Sequence, residues 1–341
     1  MIEFRDPVAE RIKTFILDET ALVIDNGDYP SDPVWSELKE RGSRVWLRGC
    51  DRLAAEVWSK DMDAVCSDTR QLGRALRRGD FHALIGDSNS FLKGLPLSER
   101  IEEIAFILNA RQAVRLSKHF AAKVSVEVPP LPGGAQQMAQ YGQRLFQVCP
   151  EHILIALPFC DEGIEAASGL GRNGVPVTIN NQYSLNQALR SIRSASPAYL
   201  SISIGSLAAE VSPEDHSLTT VNLARKILKF FAEHPDELNR TRLIADGLSG
   251  FDEVEQMQGF PILTLSPDTA REYHAVRTGK GYGETVRRDG EKKAETAGSR
   301  SATAEQSIDK RLAEKSLAAR RREYSELKKA IAHTIGSSST R

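Results

Sequence analysis

The residues of this chain best suited to chemistry stand at the ends of short apolar runs: Arg48, Ser67, Asp68, Glu127, Asn180, Ser201, Ser203 and Asp246. Gathered at one end of a sheet, they would form a polar rim with acid–base capacity and a guanidinium for an anionic group. Glu127 is the expected proton carrier and Arg48 the expected anion holder, with Asp68 and Asn180 as further catalytic candidates. The alternative for Glu127 is an acid tied to a neighbouring arginine, with Arg48 as the first choice. No run ends in lysine, the side chain that forms an iminium with a carbonyl. Lys123 lies at the opposite, N-terminal end of its run. Asp68, Glu127 and Asp246 could together hold a divalent cation, but no histidine stands at a run's end, so no metal is expected. Cys66 and Cys160 lie near the same ends without a visible histidine partner, which leaves a cysteine nucleophile unsupported.

The runs that must position these residues are Arg44–Arg48, Met62–Cys66, Ala122–Val128, His152–Leu157, Val175–Asn180, Ala198–Ser203, Arg242–Asp246 and Pro261–Leu265. Each is short and nearly continuous in apolar residues, as parallel strands covered by helices are. Helical periodicity lies between them. Ser98–His119 lines up Ile101, Ile104, Ala105, Leu108 and Leu116 on one face, and Asp161–Asn173 and Ser184–Arg193 repeat the pattern. Strand–helix alternation through eight strands predicts an α/β fold, a closed (β/α)8 TIM barrel. A doubly wound sheet is the competing architecture, and no Gly-rich dinucleotide fingerprint supports it.

Outside the repeat, residues 1–43 read as an N-terminal extension with a helix over Asp32–Arg41, capped by Ser31 or Asp32. The barrel occupies 44–278. Residues 279–306 are polar and read as a flexible linker. Residues 307–341 form a charged helical tail, with Leu312, Leu317, Tyr324, Leu327 and Ile331 along its apolar side. The Arg320–Arg322 run reads as a solvated face of that helix, or else as a contact for a polyanion or partner. The chain has 341 residues, 40% hydrophobic and 27% charged, with a formal net charge of −1, so nucleic acid is not an expected partner. No stretch approaches a membrane span and no signal peptide is read. Four scattered cysteines suggest reduced thiols in the cytoplasm.

Five phrases, in order, resemble the transaldolase family: RVWLRGCDRLAAEVWSKDMDAVCSDTRQL, IAFILNARQAVRLSKHFAAKVSVEV, HILIALPFCDEGIEAASGLGRNGVPVTINNQYSLNQAL, AYLSISIGSL and LIADGLSGFDEVEQMQGFPILTLSP. Coverage runs over residues 33–275. The resemblance implies a Schiff-base lysine, an aspartate, a glutamate and a phosphate-binding arginine acting on a ketose phosphate. Matched residue by residue, the lysine position falls on Ala156 in IALP, the first-strand aspartate on Arg48, and the second-strand loop on Cys66–Thr69. The strand-five threonine falls on Asn180, the phosphate arginine on Ser206, and a Ser/Arg pair after strand seven on Gly247 and Ser249. Glu127, Glu162–Gly163, Ser184, Ser201 and Gly205 match. Together with Ser67, Ser203 and Asp246, the residues Ser184, Ser201, Gly205 and Ser206 make the expected substrate contacts.

The expectation is therefore a transaldolase-like protein without its covalent lysine: a binding or regulatory pseudoenzyme of carbohydrate metabolism. Its expected ligand is a small anionic or sugar-phosphate-like molecule, with no cofactor. A protein partner or self-association would use residues 308–335. Two alternatives stay open. One is a lysine-independent carbon–carbon bond or isomerisation enzyme using Glu127 and Arg48. The other is a dihydroxyacetone-transferring transaldolase of the pentose phosphate reactions, should the register of the match be shifted.

Overall fold

The structure is a computed structural model that describes residues 7–18, 27–49, 52–204, 216–238, 240–279 and 302–338. Eight parallel strands close into one barrel in sequence order. They are β1 (Arg44–Arg48), β2 (Ala64–Ser67), β3 (Lys123–Glu127), β4 (Ile153–Pro158), β5 (Val177–Gln182), β6 (Tyr199–Ser203), β7 (Arg242–Leu248) and β8 (Ile262–Leu265). Every predicted strand is present, and β1 closes on β8 with Trp46 opposite Thr264. The runs are mostly apolar because alternate side chains enter two largely dry spaces. One is the barrel interior, and the other is the layer between strands and helices.

The helices before β6 are α1 (Pro7–Leu17), α2 (Pro33–Glu40), α3 (Arg52–Val57), α4 (Thr69–Arg77), α5 (His82–Phe91), α6 (Leu97–Phe120), α7 (Gly134–Val148), α8 (Asp161–Arg172) and α9 (Leu185–Ala195). After β6 come α10 (His216–Glu233), α11 (Pro235–Leu238), α12 (Phe251–Gln256), α13 (Pro267–Arg277) and the tail helix α14 (Ala302–Ser338). Asp32 caps α2, its side chain accepting from the Val34 N–H at 2.9 Å, and Pro33 opens the first turn. Of the predicted linker 279–306, residues 280–301 lie outside the described residues, and the tail is already helical from Ala302.

α6 departs from the single apolar face expected of it. It is buried without interruption from Ile104 to Val114, polar Asn109, Arg111 and Gln112 included. The reason is a second cover, since α1 and the tail helix pack on the side that would otherwise meet solvent. Arg111 shows how the polar groups are accommodated. Its Nη1 donates to the carbonyls of Ile16 at 2.5 Å and Asp18 at 2.8 Å, satisfying the open C-terminal end of α1. Tyr324, Leu327, Ile331 and Ile335 of the tail join the same apolar layer as α6. Burial of each such side chain contributes about 1.5–3 kcal/mol. No helix among the described residues is long and apolar enough to cross a membrane.

Candidate active site

Inside the barrel, Trp46, Ala64, Leu154, Ile244 and Ile262 form an apolar layer. Trp46 meets the edge of Tyr199 there, with ring centroids 5.0 Å apart. The next layer, toward the strand C-termini, is polar. Arg48, Cys66, Ser67, Asp68, Ser125, Glu127, Ala156, Thr178, Asn180, Ser201, Asp246 and Thr264 surround a cavity of about 30 Å³ together with Arg320 of the tail helix. That volume holds no more than about two water molecules. Ala156 faces it from β4, in register with Glu127 on β3 and Thr178 on β5. None of the lining residues is a lysine.

Two ion pairs organise the mouth, and neither is the Glu127–Arg48 pair considered from the sequence. On the β1–β7 side, Arg48 Nη2 donates to both carboxylate oxygens of Asp246 at 2.6 Å. Asp246 holds the Arg48 guanidinium charged against the cost of burial. The Arg48 side chain keeps 40% exposure, so this side of the mouth is not sealed. On the other side, the tail reaches in: Arg320 Nη1 contacts Glu127 Oε1, with the two side chains 12% and 7% exposed. Burial pushes the Glu127 carboxyl up from its ordinary range, and Arg320 opposes that rise. Burial also works against the Arg320 guanidinium, but Glu127 more than offsets it. The Cys66 thiol is pushed up to about 12 by burial, with Arg48 opposing, which leaves almost no thiolate at neutral pH.

The end of β5 receives the tail. Asn181 adopts a left-handed backbone conformation (φ 66°), a region asparagine tolerates better than most side chains, and the strand pairing shifts register there. Arg320 offers only donors, so the Asn181 amide oxygen turns toward it and accepts from Nη2 at 3.0 Å and from Ser316 Oγ at 2.7 Å. Leu312, one further stretch up the helix, is buried beside Tyr183. The Arg320–Arg322 run therefore divides. Arg320 turns inward, whereas Arg321 and Arg322 remain exposed as the solvated-face reading expects.

The mouth brings together Arg48, Ser67, Asp68, Glu127, Asn180, Ser201 and Asp246 from the predicted set. Asp68 also caps α4, accepting from the Gln71 N–H at 2.8 Å. Ser184 and Ser203 do not line the cavity. Ser184 caps α9 by accepting from the Gln187 N–H, and Ser203 is buried in β6. Gly205 and Ser206 lie outside the described residues. Glu162 stands exposed in the first turn of α8, where its charge favours the helix dipole. Beside it, Gly163 leaves no room for a side chain, since a Cβ would come within 2.1 Å of the Pro158 carbonyl oxygen. Among the described residues, no three His, Cys, Asp or Glu side chains are grouped so as to hold a metal. Sequence reasoning missed Arg320, Ser125 and Thr178. The only available signal for Arg320 was an arginine flanked by apolar helix positions.

The family profile for Transaldolase/Fructose-6-phosphate aldolase matches residues 70–331. The match starts after β2 and runs through Arg320 into the tail helix, so the tail belongs to the region of likeness that the five phrases had ended at residue 275. A "Probable transaldolase" of Nitrosopumilus maritimus (strain SCM1) is 26% identical over 176 residues, which cover 51% of this chain and 68% of that protein. With a closed eight-stranded parallel barrel and a profile match across most of its length, this chain belongs to the transaldolase/fructose-6-phosphate aldolase family.

Proposed function

We propose that this protein is a binding or regulatory member of its family that does not carry out Schiff-base transaldolase chemistry. The observation that carries the reading is Ala156 facing the cavity beside Glu127, with no lysine among the residues around it. An amine nucleophile at the barrel mouth is what imine catalysis requires, and alanine has no substitute for it. The two ion pairs support the same reading, because both arginines of the mouth are already engaged by its own acids. The experiment is borohydride trapping with fructose 6-phosphate, read by mass spectrometry, beside an assay for released glyceraldehyde 3-phosphate. No adduct and no product are expected. A reduced adduct on any lysine of the folded protein would overturn the proposal.

One observation favours a second reading, an enzyme of different chemistry in the same mouth. Glu127 is a buried carboxyl pushed upward, the condition that suits a group exchanging protons near neutral pH. Arg48, partly exposed at the open side, would then hold an anionic group of the substrate. Such an enzyme would lose turnover in both Glu127→Gln and Arg48→Ala when screened against aldol, isomerisation and sugar-phosphate substrates. Equal activity in both variants and the parent removes this reading.

A further inference from the structure

Arg320 occupies the barrel mouth as a ligand would. It enters from a separate element, its charged end is buried, and it meets an acid on β3 and an amide on β5, across the β4 position held by Ala156. Without Arg320, the acids and bases around the cavity, the neutral Cys66 thiol aside, are Asp68, Glu127 and Asp246 against Arg48 alone. Asp246 already engages Arg48, so the uncompensated charge on the tail side is negative. Apart from Glu127 Oε1 and Arg320 Nη1, which face each other in the ion pair, three polar atoms of the lining residues meet no hydrogen-bond partner: Ser67 Oγ, Thr178 Oγ1 and Arg48 Nε. Ser67 and Thr178 are 3% and 1% exposed, and both residues line the cavity. Unpartnered buried hydroxyls beside an acidic wall are the surroundings of a site that accepts a hydrogen-bonding guest.

We infer that the barrel mouth is a site for a guanidinium or other planar cation, and that Arg320 is its built-in occupant, which a free cationic ligand must displace. A planar guanidinium matches the Glu127 carboxylate and the Asn181 amide oxygen together, as a spherical ammonium does not. The charge count runs against the sugar-phosphate-like ligand expected from the sequence, because a phosphate would face Glu127 and Asp68 with one arginine already committed. The inference rests on the mouth being a binding site without imine chemistry, and it names the ligand class of that site. The tail itself is held independently of Arg320, by buried Tyr324, Leu327 and Ile331, so removing the guanidinium vacates the site without detaching the helix.

The test uses the full chain with Arg320→Ala and methylguanidinium chloride as the probe, followed by thermal melting and by isothermal titration. Sodium chloride at equal ionic strength is the control. The expected result is a saturable rise of a few degrees in the melting midpoint of Arg320→Ala, and a smaller or absent rise in the parent protein. The response should disappear in Glu127→Gln/Arg320→Ala. Inorganic phosphate and fructose 6-phosphate should produce no saturable rise. Equal responses of parent and variant, or a saturable response to phosphate alone, would overturn the inference. Should Arg320→Ala fail to fold, Arg320→Ser carries the same titration. Failure of either variant to fold without methylguanidinium, with recovery in its presence, supports the same conclusion. A trapped lysine adduct in the borohydride experiment would remove the non-imine reading and leave the methylguanidinium result to stand or fall on its own.

Discussion

Glu127 and Arg320 set the energetics of the mouth, because each is a charge that neither burial nor water alone can accommodate. Replacing Arg320 with Met keeps the apolar stem and leaves Glu127 without its cation. Removing one member of a buried pair costs about 3–5 kcal/mol. The pH dependence follows from the carboxyl, whose pKa burial raises above the ordinary 4.5 while Arg320 restrains the rise. Without Arg320 the rise is larger. A carboxyl raised in the folded state contributes stability that is present below its unfolded value and lost as pH climbs through its folded value. The deficit of Arg320→Met is therefore smallest near about pH 4 and grows toward neutral pH. Urea unfolding of variant and parent across that range measures it. A deficit that stays constant with pH would show that Glu127 is not the group left exposed to burial. Glu127→Met/Arg320→Met should recover much of the loss, since replacing both partners removes the buried charge altogether.

The tail helix is the element that distinguishes this barrel mouth from an open rim. Its seat lies against α4, α5, α6 and the irregular end of β5. Ile331 is completely buried there, and Ile331→Ala should cost about 2–5 kcal/mol. At about 2–4 °C per kcal/mol, the melting midpoint should fall by clearly more than it does for a substitution at exposed Lys329. A fall no larger than that of Lys329→Ala would place Ile331 outside the core. The strands were readable from the sequence because each is sealed on both sides, which leaves an unbroken apolar run such as Ile153–Leu157. Their C-terminal residues then fell at the mouth through barrel geometry alone, as Glu127 and Asp246 did. What was not readable depends on elements that return from far along the chain. α6 looked one-sided because nothing local announces that α1 and the tail cover its other face. Arg320 looked solvated because three consecutive arginines on an amphipathic helix differ only in which one the docked helix aims inward. Ser184 suited a ligand contact by type, but its place one residue before α9 assigned it to the cap.

At the scale of the molecule, barrel and tail share a single apolar core, in which Tyr324, Leu327, Ile331 and Ile335 are continuous with the residues between strands and helices. Polar contacts reinforce the same seat. Tyr324 Oη and Lys328 Nζ each donate to Glu102 at 2.6 Å, and Arg70 Nε donates to Glu323 at 2.8 Å. These apolar positions are consumed within the chain, so self-association through residues 308–335 would first have to free them. Exposed or half-exposed ion pairs contribute little each, about 0–1 kcal/mol, so the apolar side chains dominate the attachment. It follows that the covalent link between barrel and tail is not what holds the tail in place. A protease site engineered between residues 279 and 302 and then cut should leave the tail fragment bound. The two pieces should co-elute in size-exclusion chromatography under native conditions and separate only as the barrel unfolds, in one transition seen by both circular dichroism and tryptophan fluorescence. Release of the fragment from a barrel that keeps its original melting midpoint would show that the tail is a separate unit. The mouth would then open without any cost to the fold.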